Sequence, residues 1–383
     1  MSDIHLKYKQ AISSVLSVNP ENVFLYWKGR VALYALLKAA GIGIGDEVLL
    51  SGLTCVVVPN AIIYLGAKPV YIDVSVNTYN PEFVSYIEKI SDKAKALIIQ
   101  NTFGLSSDVE ELVNYAKEHN IITIEDCTHG FGGLYNNKPN GTYCDAAIFS
   151  TQWNKPYSTG IGGFCVVQNP DLIIGLEEVN KKLIKPRIMD ELMLWILVWA
   201  KKLLINDKSF WTLRDLYRAL SKANIVIGSS QGEEIEGNEI PDNFFKSASV
   251  IQSRFGIKNI KLLNSNLVRR RENSKIYSDF LSENKKKYIS KDFWDNHSFL
   301  VYPLLVEDRL SFMLKAEKKH IKLGDWFISP IHPVKGNFNK WGLDVESLPN
   351  ASYLSKHLVN LPTLNDNIEN VLAFLKNNIN DIL

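Results

Sequence analysis

The stretch FSTQWNKPYSTGIGG (residues 149–163) sets one lysine, Lys155, between an apolar approach and a glycine-rich turn. A lysine amine attacks a carbonyl once it has lost its proton, which requires a short tether to a rigid element and surroundings that disfavour the charge. Ser150 and Thr151 offer hydroxyls that could hold an oxyanion, Gln152 lies beside them, and Gly160, Gly162 and Gly163 could let a ligand come close to the backbone. Upstream, IEDCTHG (residues 124–130) places Asp126 at the end of an apolar run and His129 three residues later. A carboxylate there could pair with a protonated ring nitrogen. Further upstream, Lys28-Gly29-Arg30 leads into VALYALLKAA, whose apolar spacing is helical. The free N–H groups at such a helix start attract an anion, and Arg30 could fork onto a phosphate. Taken singly, each feature has a plainer explanation: an ordinary helix start, an aspartate capping a turn, a lysine on a loop.

The elements that must hold these residues follow from the hydrophobic pattern. Helical spacing covers 31–40, and a short apolar strand covers 47–50. A second helix follows CVVVP, and PVYIDV reads as the next strand. KALIIQN, NIITIED and DAAIFS are further strands, with an amphipathic helix over DVEELVNYAKEHN. Alternating strands and helices predict βαβ units and a mainly parallel sheet. Ligands then gather at the carboxyl ends of the strands, which directs attention to Asn101, Asp126 and the 150–155 loop. GGFCVVQ (162–168) reads as a returning, antiparallel strand. Residues 171–225 read as helical and 228–243 as a flexible, solvated acidic loop. A long helix is expected from near Ser247 through RRRENSKIYSDFL. The predicted fold is α/β, with a large domain over 1–250 and a smaller α+β domain over 251–383.

Composition excludes some classes. The 383 residues are 46% hydrophobic, enough for a large core, and the formal net charge of +2 leaves no footprint for nucleic acid. Cys55, Cys127, Cys144 and Cys165 are scattered, without zinc spacing, as expected for reduced thiols in the cytoplasm. The opening MSDIHLKYKQ has no apolar core, so no secretory leader is expected. LMLWILVWA (192–200), followed by KKLLI, is shorter than the ~20 residues a membrane span requires. It reads as a buried or interface helix. The tryptophans beside Lys201 and Lys202 leave a membrane-surface role for 192–204 as the alternative.

Together, the helix start for a phosphate, the strand-end Asp126 and Lys155 before a glycine turn are the parts that pyridoxal 5'-phosphate (PLP) needs. Their order resembles the DegT/DnrJ/EryC1/StrS family of sugar aminotransferases. KGRVALYALLKAAGIGIGDEV, GLTCVVVPNAIIYLGAKPVYIDV, IEDCTHGFGG and STQWNKPYSTGIGG carry the resemblance, which continues into WFISPIHP and LVNLPT. It implies the PLP-dependent transferase fold of type I, a homodimer with the site at its interface, and alternation between PLP and its amino form, PMP. It implies Lys155 as the Schiff-base lysine and proton carrier, Asp126 on the pyridinium and His129 near the ring or its phenolic oxygen. Gly29, Arg30 and Ser150 would hold the phosphate, with Thr54 and Cys55 near the ring face. The implied reaction moves an amino group, from glutamate, to a keto sugar linked to a nucleotide, in amino-sugar and polysaccharide biosynthesis. Arg30 replaces a small hydroxyl residue of the pattern, Cys55 an aromatic, Gln152 a histidine and Ile161 a glutamate. No asparagine around 243–247 matches the one the partner subunit contributes in the pattern. Two alternatives stay open: other PLP chemistry on the same fold, such as a dehydratase or a non-sugar carbonyl substrate, and a non-catalytic regulatory protein. Lys155 and Asp126 together argue against the latter.

Overall fold

The structure, a computed structural model, describes residues 3–204, 233–236, 239–364 and 367–383. Residues 205–225 of the expected helical region, and 228–232 and 237–238 of the expected acidic loop, lie outside the described residues.

Ten strands come first: β1 (Val23–Tyr26), β2 (Glu47–Ser51), β3 (Thr54–Cys55), β4 (Lys68–Ile72), β5 (Ala94–Gln100), β6 (Ile122–Asp126), β7 (Leu134–Tyr135), β8 (Lys138–Pro139), β9 (Ala146–Ser150) and β10 (Gly163–Val167). Seven of them form a sheet in the order β1-β10-β9-β6-β5-β2-β4. The neighbours from β9 to β4 pair in parallel, and β10 runs antiparallel to both β9 and β1. Every residue of β2 and β10 is buried, as a strand covered on both faces requires. Helix α1 (Asp3–Leu16) spaces Tyr8, Ile12 and Leu16 four apart into a core with Phe131, Phe149 and Phe164. Helix α2 (Gly29–Ala39) is buried from Gly29 through Leu37 and packs on the other face with Val48, Ile98 and Ile148. Helices α3 (Val57–Ile63), α4 (Phe83–Ile87), α5 (Glu110–Glu118), α6 (Pro170–Asn180) and α7 (Ile188–Leu204) complete the first half.

Two readings change. The long helix expected from Ser247 is two helices, Val250–Asn259 and Leu263–Glu283, joined by a 3-10 turn over Ile260–Leu262. Ser249 and Gln252 form a reciprocal cap that starts the first of them. The turn sends both Ile260 and Leu263 into the core under α1. The acidic stretch is not all solvated: Glu233–Glu236 is a helical turn, and Glu234 is buried.

After these helices, β11 (Tyr302–Leu305) and β13 (Leu358–Leu361) form an antiparallel pair. Strand β12 (Ile331–His332) leaves them and pairs in parallel with β3, Ile331 opposite Thr54 and His332 opposite Cys55. Two backbone bonds secure it, Thr54 N–H to the Pro330 carbonyl and Val56 N–H to the His332 carbonyl, both 2.8 Å. The C-terminal segment thereby reaches the carboxyl edge of the large sheet.

Candidate active site

A cavity opens at the carboxyl ends of β2, β5, β6 and β9, where the parallel topology places it. Nine of the residues singled out from the sequence line it: Gly29, Arg30, Thr54, Cys55, Asp126, His129, Ser150, Gln152 and Lys155.

Lys155 projects from the loop between β9 and β10. Removal from water lowers its ammonium to about 8, with Asp126 pulling the other way. The loop is held from both sides: Tyr157 shares a 2.5 Å hydroxyl bond with Tyr8 of α1, and the Asn259 amide donates to the Ser158 carbonyl at 2.7 Å. Asp126, at the tip of β6, is 3% exposed, and Thr128 N–H donates to its Oδ1 at 2.9 Å. Burial raises its carboxyl above the usual range, opposed by the Thr128 bonds and more weakly by the Lys155 charge. Asp126 forms no ion pair with any described residue. A buried carboxylate in that position is suited to a cationic ring N–H.

His129 is buried and neutral, its pKa pushed well down by burial and then by the Lys155 charge. Its Nδ1 accepts from Phe103 N–H at 3.2 Å, so the ring proton sits on Nε2. Thr54 donates to Gln100 Oε1 at 2.6 Å, and Gln100 Nε2 donates back to the Leu53 carbonyl and to Thr102. Cys55 carries a free thiol at the cavity wall.

At the start of α2, Lys28 stands at the N-cap without a side-chain cap bond, and its side chain faces the cavity with Arg30. Burial and the neighbouring Arg30 charge bring Lys28 down to about 8. Arg30, however, does not simply await an anion. Its Nη1 donates to Glu234 Oε2 at 2.5 Å, with both side chains almost fully buried. Glu234 is itself fixed through its carbonyl, which accepts from Asn60 Nδ2 at 2.9 Å, while Asn60 Oδ1 accepts from Trp341 Nε1. Removing one member of a buried pair costs about 3–5 kcal/mol because the other charge is left uncompensated. Glu234→Gln is therefore expected to lower the unfolding free energy by about 3 kcal/mol in phosphate-free buffer. Added inorganic phosphate should then raise the melting temperature of the variant more than that of the parent, since the ligand replaces the lost anion. Equal phosphate responses in a thermal scan would sink this account of Arg30.

Several further sequence expectations are corrected. Asn101 is fully buried and structural: its amide donates to Glu125 Oε1 at 2.7 Å, and its carbonyl accepts from Ser107 N–H. Thr151 is engaged with Thr159 Oγ1 at 2.7 Å and takes no part in the cavity wall. Of the three glycines expected to admit a ligand only Gly162 lines the cavity, and all three also serve the protein's own packing. A Cβ on Gly163 would lie 2.3 Å from Gly29 N, and one on Gly162 would lie 2.3 Å from Thr151 Oγ1. Gly29 is itself pressed against Phe149 O and Ser150 Cβ. These contacts bring the start of α2 against the end of β9, which places Lys28, Gly29, Arg30 and Ser150 at one end of the cavity.

The sequence reading gave no role of their own to Lys28, Gln100, Thr128, Trp326, Phe327 and His332, which also line the cavity. Trp326 matters most. Its ring stacks on His129 at 4.6 Å, and the Lys155 ammonium lies 4.7 Å from its centroid. Residue 326 thus brings to the cavity an aromatic ring, which position 55 does not carry. His332, in the Pro-Ile-His-Pro run, is brought down to about 4, mainly by burial.

The parallel sheet, the lysine loop beside a strand-end aspartate and the anion-ready helix start define a PLP-dependent transferase fold. The chain belongs to the DegT/DnrJ/EryC1/StrS aminotransferase family, whose profile matches residues 25–182 and 248–373. A GDP-perosamine synthase of Escherichia coli O157:H7 is 39% identical over 144 residues, 38% of this chain and 40% of the relative. A dTDP-3-amino-3,6-dideoxy-alpha-D-galactopyranose transaminase of Aneurinibacillus thermoaerophilus is 38% identical over 122 residues, 32% of this chain and 34% of the relative. The matched stretch thus spans well under half the length of these curated relatives. The crystal structure of the aminotransferase TlmJ from Streptoalloteichus hindustanus superposes over 99% of this chain and 91% of its own, with a TM-score of 0.74 and 19% identity.

Proposed function

We propose that the protein is a PLP-dependent aminotransferase that moves an amino group, from glutamate, onto a keto sugar carried by a nucleotide. The observation that carries the reading is the meeting of Lys155 and Asp126 in one cavity whose far end is the cationic start of α2. The relatives' names, which join a nucleotide prefix with an amino sugar or a synthase, support the substrate class.

The residues fit the cofactor. Free N–H groups of α2, with Lys28, Arg30 and Ser150, would hold its phosphate. Asp126 would pair with the ring nitrogen, and His129 Nε2–H would donate to the phenolic oxygen. PLP, when bound, supplies an electron sink for the pair left behind when a C–H proton departs. Lys155 does the rest of the chemistry available to this chain: its neutral amine takes that proton and returns it at a neighbouring carbon. Asp126 would keep the ring nitrogen protonated, and Trp326 and Phe327, which line the cavity, would help to exclude water. We read the chain as a large unit of 1–250 and a smaller one of 251–383. We further read the enzyme as a homodimer with the cavity at its interface, in the cytoplasm, where four unpaired cysteines are stable.

Purified protein mixed with PLP should develop a visible absorbance band that borohydride fixes covalently to Lys155. Glutamate should discharge that band with release of 2-oxoglutarate, and nucleotide keto sugars should restore it. A band unmoved by glutamate would favour other PLP chemistry, and no band at all would sink the cofactor assignment. The pH dependence has a definite sign. An amine lowered to about 8 is charged below that pH and free above it, so the rate of cofactor uptake should rise towards about pH 8 and flatten beyond. Lys28 shares this range. Lys28→Met should keep the inflection, and Lys155→Arg should form no such band at any pH.

A further inference from the structure

Helix α7 falls between the two blocks matched by the family profile, in the gap between residues 182 and 248. Its two faces do different things. The inner face packs on the lysine loop: Leu194 is fully buried with Trp27 and Ile161, Val198 lies against them, and the Lys201 ammonium donates to the Trp153 carbonyl at 3.1 Å. The outer face is apolar and open. Ile188, Leu192, Trp195, Ile196, Trp199 and Leu203 lie along one stripe, at 37% to 86% exposure. Neither acidic residue of the helix belongs to that open stripe: Asp190 turns inward to Lys246 at 2.8 Å, and Glu191 is half-buried. Exposed cations border the stripe instead. Lys182 and Lys185 precede it in the chain, Arg187 beside them is paired with Asp190 at 3.5 Å, and Lys202 sits on it, its ammonium 4.9 Å from the Trp199 ring centroid.

We propose that the outer face of α7 lies on an anionic lipid bilayer surface. The apolar stripe enters the boundary between headgroups and acyl chains, the two tryptophans sit at headgroup depth, and the cations meet lipid phosphates. No helix among the described residues is long and apolar enough to cross a membrane, so the contact is peripheral. The charge pattern points to this occupant: exposed Lys182, Lys185 and Lys202 complement lipid phosphates, and no acidic residue lies on the stripe to oppose them.

Flotation of the full-length, cofactor-loaded protein with vesicles tests this. Vesicles of equimolar phosphatidylcholine and phosphatidylglycerol should bind it at least about tenfold more than phosphatidylcholine alone. Raising the salt should release it. Trp195→Ser with Trp199→Ser should weaken binding about tenfold, and each of Lys182→Gln and Lys185→Gln should weaken it about fivefold. All these positions are exposed, so circular dichroism and cofactor uptake should match the parent and show that the fold is intact. The proposal is overturned by absence of flotation with the anionic vesicles, or by equal flotation of the tryptophan variant. It is also overturned if that variant changes the mass in sedimentation while neither protein binds vesicles, which would make the face a protein interface.

Discussion

Lys155→Ala is expected to lose turnover by about 10³-fold or more, because one side chain is both the covalent anchor and the proton carrier. The loss should fall on kcat rather than on KM for the sugar. The variant should still take up PLP, since the α2 start and Asp126 remain, but the absorbance band and its borohydride fixation should vanish. Exogenous methylamine should restore a small part of the rate by standing in for the missing amine. Stability should change little or rise: the amine removed is one that burial already holds down to about 8, so below that pH the parent carries the cost of confining its charge. A variant that keeps the band, or that turns over within tenfold of the parent, would end the assignment of Lys155.

Asp126→Asn separates the electronic role of the carboxylate from its shape. The amide can still accept from Thr128 N–H, as Oδ1 does at 2.9 Å, so the turn after β6 should survive. What disappears is a charge-assisted bond to a ring N–H⁺, worth about 1.5–3 kcal/mol, which corresponds to a loss of about 10- to 150-fold in rate. Because burial raises the Asp126 carboxyl, the apoprotein and the loaded enzyme should respond differently to acid. In the apoprotein the raised pKa makes folding favour the protonated acid, so this group adds stability as pH falls through its folded value towards the unfolded one. Cofactor binding reverses that sign by fixing the anion. If Asp126→Asn leaves both the rate and the acid dependence of cofactor release unchanged, the carboxylate has no partner on the ring.

Much of the site was legible because its parts lie next to strand and helix ends that the hydrophobic pattern marks. Asp126 closes the apolar ITIED strand, Ser150 closes AAIFS, and Gly29 opens a helix of unbroken apolar spacing. Residues brought by long-range pairing left no such mark. Trp326 and His332 reach the cavity only because a two-residue strand docks beside Thr54 and Cys55, far too short a ladder for periodicity to reveal. Glu234 was hidden for another reason: in GEEIEG it looks like any solvated acidic loop, and only the fold sets it on Arg30. Ile161 shows how a departure from a familiar pattern acquires a cause. It stands where the resemblance has a glutamate, and it is 1% exposed beneath Leu194 of the extra helix α7, where an unpaired carboxylate would be costly to bury.

The short ladder between β3 and β12 also sets a timetable. On the ribosome, the seven-stranded sheet, Asp126 and Lys155 are all complete once residue 167 has emerged. The wall made by Trp326, Phe327 and His332 is not. A ligand held at Lys155 can therefore be enclosed on that side only after residues 326–332 have been made and docked beside β3.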